Sequence, residues 1–115
     1  MIPPSIPASG NLLHLLPDAS AEEIFETLLQ RPGCRLERIT SHGQASPPGF
    51  WYEQSWDEWV LLLAGHARID WAGERMIELR PGDSLLIPAD TRHRVDFTTP
   101  DAPTVWLALH LGEPG

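Results

Sequence analysis

The chain has 115 residues, 42% hydrophobic and 21% charged, the balance of one ordinary globular domain. Sixteen acidic residues against eight basic ones leave a net charge of −8, and every basic residue is an arginine. With no lysine and no arginine run, the chain lacks the clustered cations needed to grip nucleic acid or an anionic membrane surface.

A single cysteine, Cys34, rules out an internal disulfide and suits a reducing cytoplasm, the expected location. The N-terminus lacks the basic and apolar regions of a signal peptide. The longest apolar run, "WVLLLA", is far too short to span a bilayer.

Residues 1–18 carry four prolines and little charge, and are expected to form an extended arm docked by Leu12, Leu13, Leu15 and Leu16. A packed or surface role is expected for His14. The next segment, 20–31, reads as a helix. Ser20 and Glu23 match a capping box, Ile24, Phe25, Leu28 and Leu29 make one apolar stripe, and Pro32-Gly33 would end it.

From Cys34 onward the period changes to two. "CRLERITS" reads as a strand, then a loop "HGQASPPG". "FWYEQ", "EWVLLLA", "HARIDWA", "ERMIEL", "DSLLIP", "HRVDFTT" and "TVWLALHL" follow, separated by Gly-, Pro- and Asp-rich turns. "HARIDWAGERMIEL" is a hairpin with Ala72-Gly73 at its tip. In "RPGDS", Pro81 pre-sets φ and Gly82 tolerates a positive φ. Many short strands without crossover helices predict an all-β sandwich or barrel and exclude a parallel α/β sheet.

Two spacings carry a family likeness. Gly82, Pro88 and His93 fit glycine, five residues, proline, four residues, histidine, with Asp90 in a turn position that is otherwise glycine. Glu58 and Gly65 fit glutamate, six residues, glycine. Over roughly residues 35–111 the sequence resembles a small single-domain bacterial cupin. The resemblance implies one domain over 1–115, with a jelly-roll barrel (a double-stranded β-helix) at 35–111 behind the helix and arm. Where the family pattern carries two histidines upstream of the glutamate, this chain has Tyr52 and Gln54.

The resemblance also implies a site. Tyr52 and Gln54 alternate onto one face, and Glu58 and His93 would converge on it at the barrel mouth. Two readings of this quartet follow. In one, His93, Glu58 and the weaker Gln54 hold a divalent Zn, Fe, Mn or Ni, with His110 as a further candidate ligand. In the other, the four side chains satisfy each other by hydrogen bonds without a metal. Tyr52, Glu58 and His93 are the candidate catalytic groups, and Tyr52, Gln54 and Arg38 the candidate ligand contacts. Glu53 should face outward, Asp57 lie in a solvated turn and His42 stand in a loop.

The implied function is small-molecule binding, with a metal-dependent oxygenase, isomerase or decarboxylase reaction. A non-catalytic sensing cupin and a metal-independent acid–base enzyme are the alternatives. Five tryptophans, Trp51, Trp56, Trp59, Trp71 and Trp106, suggest either a homodimer interface or core packing.

Overall fold

A computed structural model describes residues 9–114, so residues 1–8 of the expected arm lie outside the described residues. Eight strands make two antiparallel sheets. They are β1 (Ile24–Arg31), β2 (Cys34–Ser41), β3 (Asp57–Ala64), β4 (Ala67–Trp71), β5 (Arg75–Leu79), β6 (Ser84–Ile87), β7 (His93–Thr98) and β8 (Thr104–Leu111). The larger sheet runs β1-β2-β8-β3-β6 and the smaller β5-β4-β7. This is the expected all-β jelly roll.

The expected helix over 20–31 is absent, because its residues 24–31 form strand β1, paired with β2 from Ile24↔Thr40 to Arg31↔Cys34. Pro32-Gly33 does not stop a helix but turns a hairpin, with Gly33 at φ +72°. A bulge between Thr27 and Leu29 explains the misleading stripe, since one extra residue breaks the strand's alternation. The capping residues also have other partners. Glu23 accepts a hydrogen bond from the Ser41 hydroxyl at 2.6 Å, and Ser20 N–H donates to Asp18 at 2.9 Å. Tertiary pairing with β2 outweighs the local helical pattern.

The arm's described part touches the barrel through the Leu12 carbonyl, which accepts from Arg38 Nη1 at 3.0 Å. Of its four leucines, Leu12 and Leu16 are partly buried, while Leu13 and Leu15 are exposed. His14 is exposed as well.

The core lies between the sheets and follows the strands' alternation. Val60 and Leu62 from β3, Ala67 and Ile69 from β4, Leu79 from β5, and Trp106 and Ala108 from β8 form one buried cluster. Turn chemistry matches the sequence. Gly82 has φ +94°, and Asp90, at the position that is otherwise glycine, has φ +61°. At the β4–β5 tip Ala72 and Gly73 both take positive φ, and Ile69 faces Ile77 as the hairpin requires.

None of the five tryptophans is among the exposed large apolar side chains. Phe25, Leu28 and Leu29 on edge strand β1 are exposed instead. Among the described residues, no helix is long and apolar enough to cross a membrane.

Candidate functional site

Between the two sheets is a cavity of about 590 Å³. Strand alternation decides what lines it. On β3, Glu58 and Val60 face inward with buried Leu62; on β8, Trp106 and His110 do, and on β2, Arg35, Glu37 and Ile39. Register then aligns the polar members, because Arg35 faces His110 across β2–β8 and Glu58 faces His110 across β3–β8. His93 and Val95 of β7 close the cavity from the small sheet.

"FWYEQ" forms no strand, only an isolated bridge. Tyr52 N–H donates to the His93 carbonyl at 2.8 Å, and His93 N–H returns a bond to the Tyr52 carbonyl at 3.0 Å. Asp90 N–H donates to the Gln54 carbonyl at 2.8 Å. These bonds tie the segment along the start of β7 and point Tyr52 and Gln54 into the cavity.

The expected quartet therefore comes together. Gln54 Nε2 donates to Glu58 Oε1 at 2.6 Å. His93 Nε2 lies 3.9 Å from the same oxygen, beyond hydrogen-bond reach. Tyr52 stacks on His93, with ring centroids 5.5 Å apart and planes 22° from parallel. Burial raises the Tyr52 phenol's pKa first, and the nearby carboxylates of Glu23, Glu58 and Glu37 raise it further.

The partners of the two inner histidines set their tautomers. His93 Nδ1 is 2.9 Å from the Thr91 carbonyl, which can only accept, so Nδ1 carries the proton. In the neutral ring, Nε2 is then a lone pair facing the cavity. His110 is arranged the other way round. Trp56 Nε1–H, a donor only, gives to His110 Nδ1 at 2.9 Å, and His110 Nε2–H gives to Glu37 Oε1 at 2.9 Å. Both nitrogens of His110 are engaged.

A second polar group, unforeseen from the sequence, fills the wall beside His110. Arg35 Nη1 donates to Glu37 at 2.7 Å, and Arg35 clasps Glu113 with two bonds of 2.7 and 2.8 Å. Glu113 holds the guanidinium's pKa up, and Arg35 in turn holds the Glu113 carboxyl below the usual carboxylate range. Strand phase carried the only signal, since Arg35 and Glu37 alternate with Ile39 on one face. Arg38 is on the opposite phase. It does not line the cavity but pairs with Glu26 at 2.7 Å.

Other candidates lie apart. Glu53 is exposed as expected. Asp57 is not merely solvated, because it accepts from Ala89 N–H at 2.8 Å and pins the loop before β7. His42 Nε2 contacts the Pro100 carbonyl at 3.1 Å, and Cys34 is a partly buried free thiol.

A family model described as "Cupin domain" matches residues 38–110. The chain is a cupin. Solved structures agree. A Ralstonia eutropha JMP134 protein, provisionally assigned as a mannose-6-phosphate isomerase, is 50% identical, with a TM-score of 0.87 over 91% of this chain and 98% of that one. A cupin superfamily protein from Desulfitobacterium hafniense DCB-2 is 21% identical, with a TM-score of 0.73 over 96% and 94%. An RmlC-like cupin from Desulfovibrio desulfuricans is 19% identical, with a TM-score of 0.75 over 93% and 98%. No curated protein matches the chain.

Cupins commonly bind divalent metals, so the donor set of this one matters. Among the described residues, no three His, Cys, Asp or Glu side chains are placed to share an ion. Glu58 and the His93 Nε2 lone pair are two good donors. Gln54 adds only an amide, and its NH₂ is turned toward Glu58. His110 has no free nitrogen. Two good donors fall short of the three protein ligands usual at a catalytic zinc, so this donor set does not fit a cupin metal centre.

Proposed function

We propose that this cupin binds a small molecule in its cavity and catalyses an isomerase-type proton transfer, with Glu58 and His93 as the acid–base pair. The supporting observation is His93 Nε2, a lone pair held by the Thr91 contact and facing a cavity where Glu58 is the nearest acidic group. The assignment of the Ralstonia neighbour supports the reaction class.

In such a reaction Glu58 takes a proton from the carbon beside a carbonyl. His93 Nε2 takes the proton of the neighbouring hydroxyl. Returning the first to the adjacent carbon and the second to the other oxygen completes the shift with no net change in atoms or charge. Tyr52, stacked on His93, orients the substrate. Positioning and desolvation in the buried wall supply the environment that proton transfer needs.

Incubation with aldose–ketose pairs in D₂O, followed by NMR, tests the reading. Deuterium should enter the carbon beside the carbonyl, and Glu58→Gln and His93→Gln should each abolish this. Binding without exchange in the parent would leave a sensing cupin. The Gln54 bond that satisfies Glu58 within the wall favours that second reading.

A further inference from the structure

The charge of the cavity narrows the ligand further. Four carboxylates, Glu23, Glu37, Glu58 and Glu113, line it against one guanidinium, Arg35, a formal net of −3 with the histidines neutral. Arg35 is already engaged by Glu37 and Glu113, so it has little left to offer an anion. Among the described residues, no arginine pairs with Glu23 or Glu58. Arg38, the nearby alternative, is turned to Glu26 outside the cavity.

A second, independent observation marks this as a place for a ligand. The His93 side chain is only 6% exposed, yet its Nε2 faces the cavity with its nearest carboxylate oxygen 3.9 Å away. The side chain's one hydrogen bond is made by Nδ1, so Nε2, on the cavity side of a largely buried ring, is left for a bound molecule to satisfy. The rest of the lining is mostly apolar, with the aromatic rings of Phe25, Tyr52, Trp56 and Trp106 beside aliphatic side chains such as Val60 and Ile69. Aromatic faces attract cations and tolerate neutral rings, but give nothing to a phosphate.

We infer that the cavity selects a cationic, amine-bearing small molecule and rejects phosphorylated ones. The inference rests on the small-molecule reading above and specifies its ligand class. It separates this chain from any direct transfer of a mannose-6-phosphate substrate. A dianionic phosphate would enter a field set by two carboxylates without a cation. An ammonium would be drawn to Glu23 and Glu58, which line the cavity with Tyr52.

Two probe series of matched shape test this, read by tryptophan fluorescence titration and calorimetry at about pH 7, where a phosphate ester is mostly dianionic and an ordinary imidazole mostly neutral. One is mannosamine, mannose and mannose 6-phosphate; the other is benzylamine, benzyl alcohol and benzoate. In a series that binds, the cation should bind about tenfold or more tighter than its neutral analogue, and the anion weakest. Glu23→Gln and Glu58→Gln, each checked for an unchanged melting profile, should each shrink the gap between cation and neutral probe. Tightest binding of mannose 6-phosphate or benzoate would overturn the inference while leaving the small-molecule cavity standing. An unchanged gap in both folded variants would overturn it too. If no probe of any charge binds, the cavity reading falls and this inference with it.

Discussion

Gly65→Ala should destabilise the barrel far more than Gly33→Ala, although both glycines have positive φ. Gly65 has φ +86° and Gly33 φ +72°, so alanine in either place carries a left-handed cost of about 1–2 kcal/mol. The surroundings differ. A Cβ on Gly33 meets nothing within 4 Å, whereas one on Gly65 falls 2.6 Å from Thr104 Cα and 2.8 Å from Thr104 Cβ. Thr104 is fully buried and its backbone opens β8, so it cannot rotate away. Such overpacking adds about 1–3 kcal/mol. Gly65→Ala should therefore lose about 2–5 kcal/mol of a total of roughly 6–17 kcal/mol for a domain this long. Urea unfolding followed by tryptophan fluorescence gives both values. Equal losses in the two variants, within about 0.5 kcal/mol, would refute the close-approach argument and leave only backbone conformation to explain Gly65.

Tyr52→Phe should flatten the alkaline limb of the stability curve. The folded phenol's pKa is raised, so the native state resists ionisation that the unfolded chain undergoes, and stability is lost as pH rises through and above about 10; chemical denaturation across that range checks it. Trp56→Phe should cost about 0.5–1.5 kcal/mol in urea, because it removes the indole donor to His110 while keeping an aromatic wall. Elemental analysis after incubation with Zn, Mn, Fe and Ni should find well under one equivalent bound, since among the described residues Glu58 and His93 are the two good donors that the cavity offers. Near-stoichiometric metal that is lost in both Glu58→Ala and His93→Ala would refute the donor count.

The barrel was legible in the sequence because alternation in "CRLERITS" or "TVWLALHL" has one explanation, a strand with one face buried. Segment 24–31 was not, because IFETLLQR satisfies a helical stripe as well as a bulged strand, and only its pairing with β2 decides. Spacing located Glu58 and His93, and the phase of His110 with Trp106 and Ala108 fixed its inward face once β8 was seen to bury that side. Arg35 and Glu37 are not legible as cavity residues in the sequence, because charged residues default to the outside. Glu37 is nonetheless buried, since Arg35 and His110 both donate to it. Arg38 showed the opposite failure. Charge made it a candidate, but its phase places it on the far side of the sheet.

The two inner histidines show why residue type alone could not define the site. Both are buried and both border the cavity, at 4% and 5% exposure. Their hydrogen bonds give them different chemistry. His110 spends both nitrogens, one on Trp56 and one on Glu37, and so fixes the wall in which Glu37 and Arg35 sit. His93 spends only Nδ1, on a backbone carbonyl, and keeps Nε2 for whatever enters. Diethylpyrocarbonate, which acylates an unprotonated imidazole nitrogen, should therefore modify His93 and spare His110 in the folded protein, as mapped by peptide mass spectrometry. Trp56→Phe frees His110 Nδ1 and should open it to the reagent. Equal labelling of both histidines in the parent would mean that the tautomer argument fails, and with it the assignment of His93 as the group that exchanges protons with a ligand.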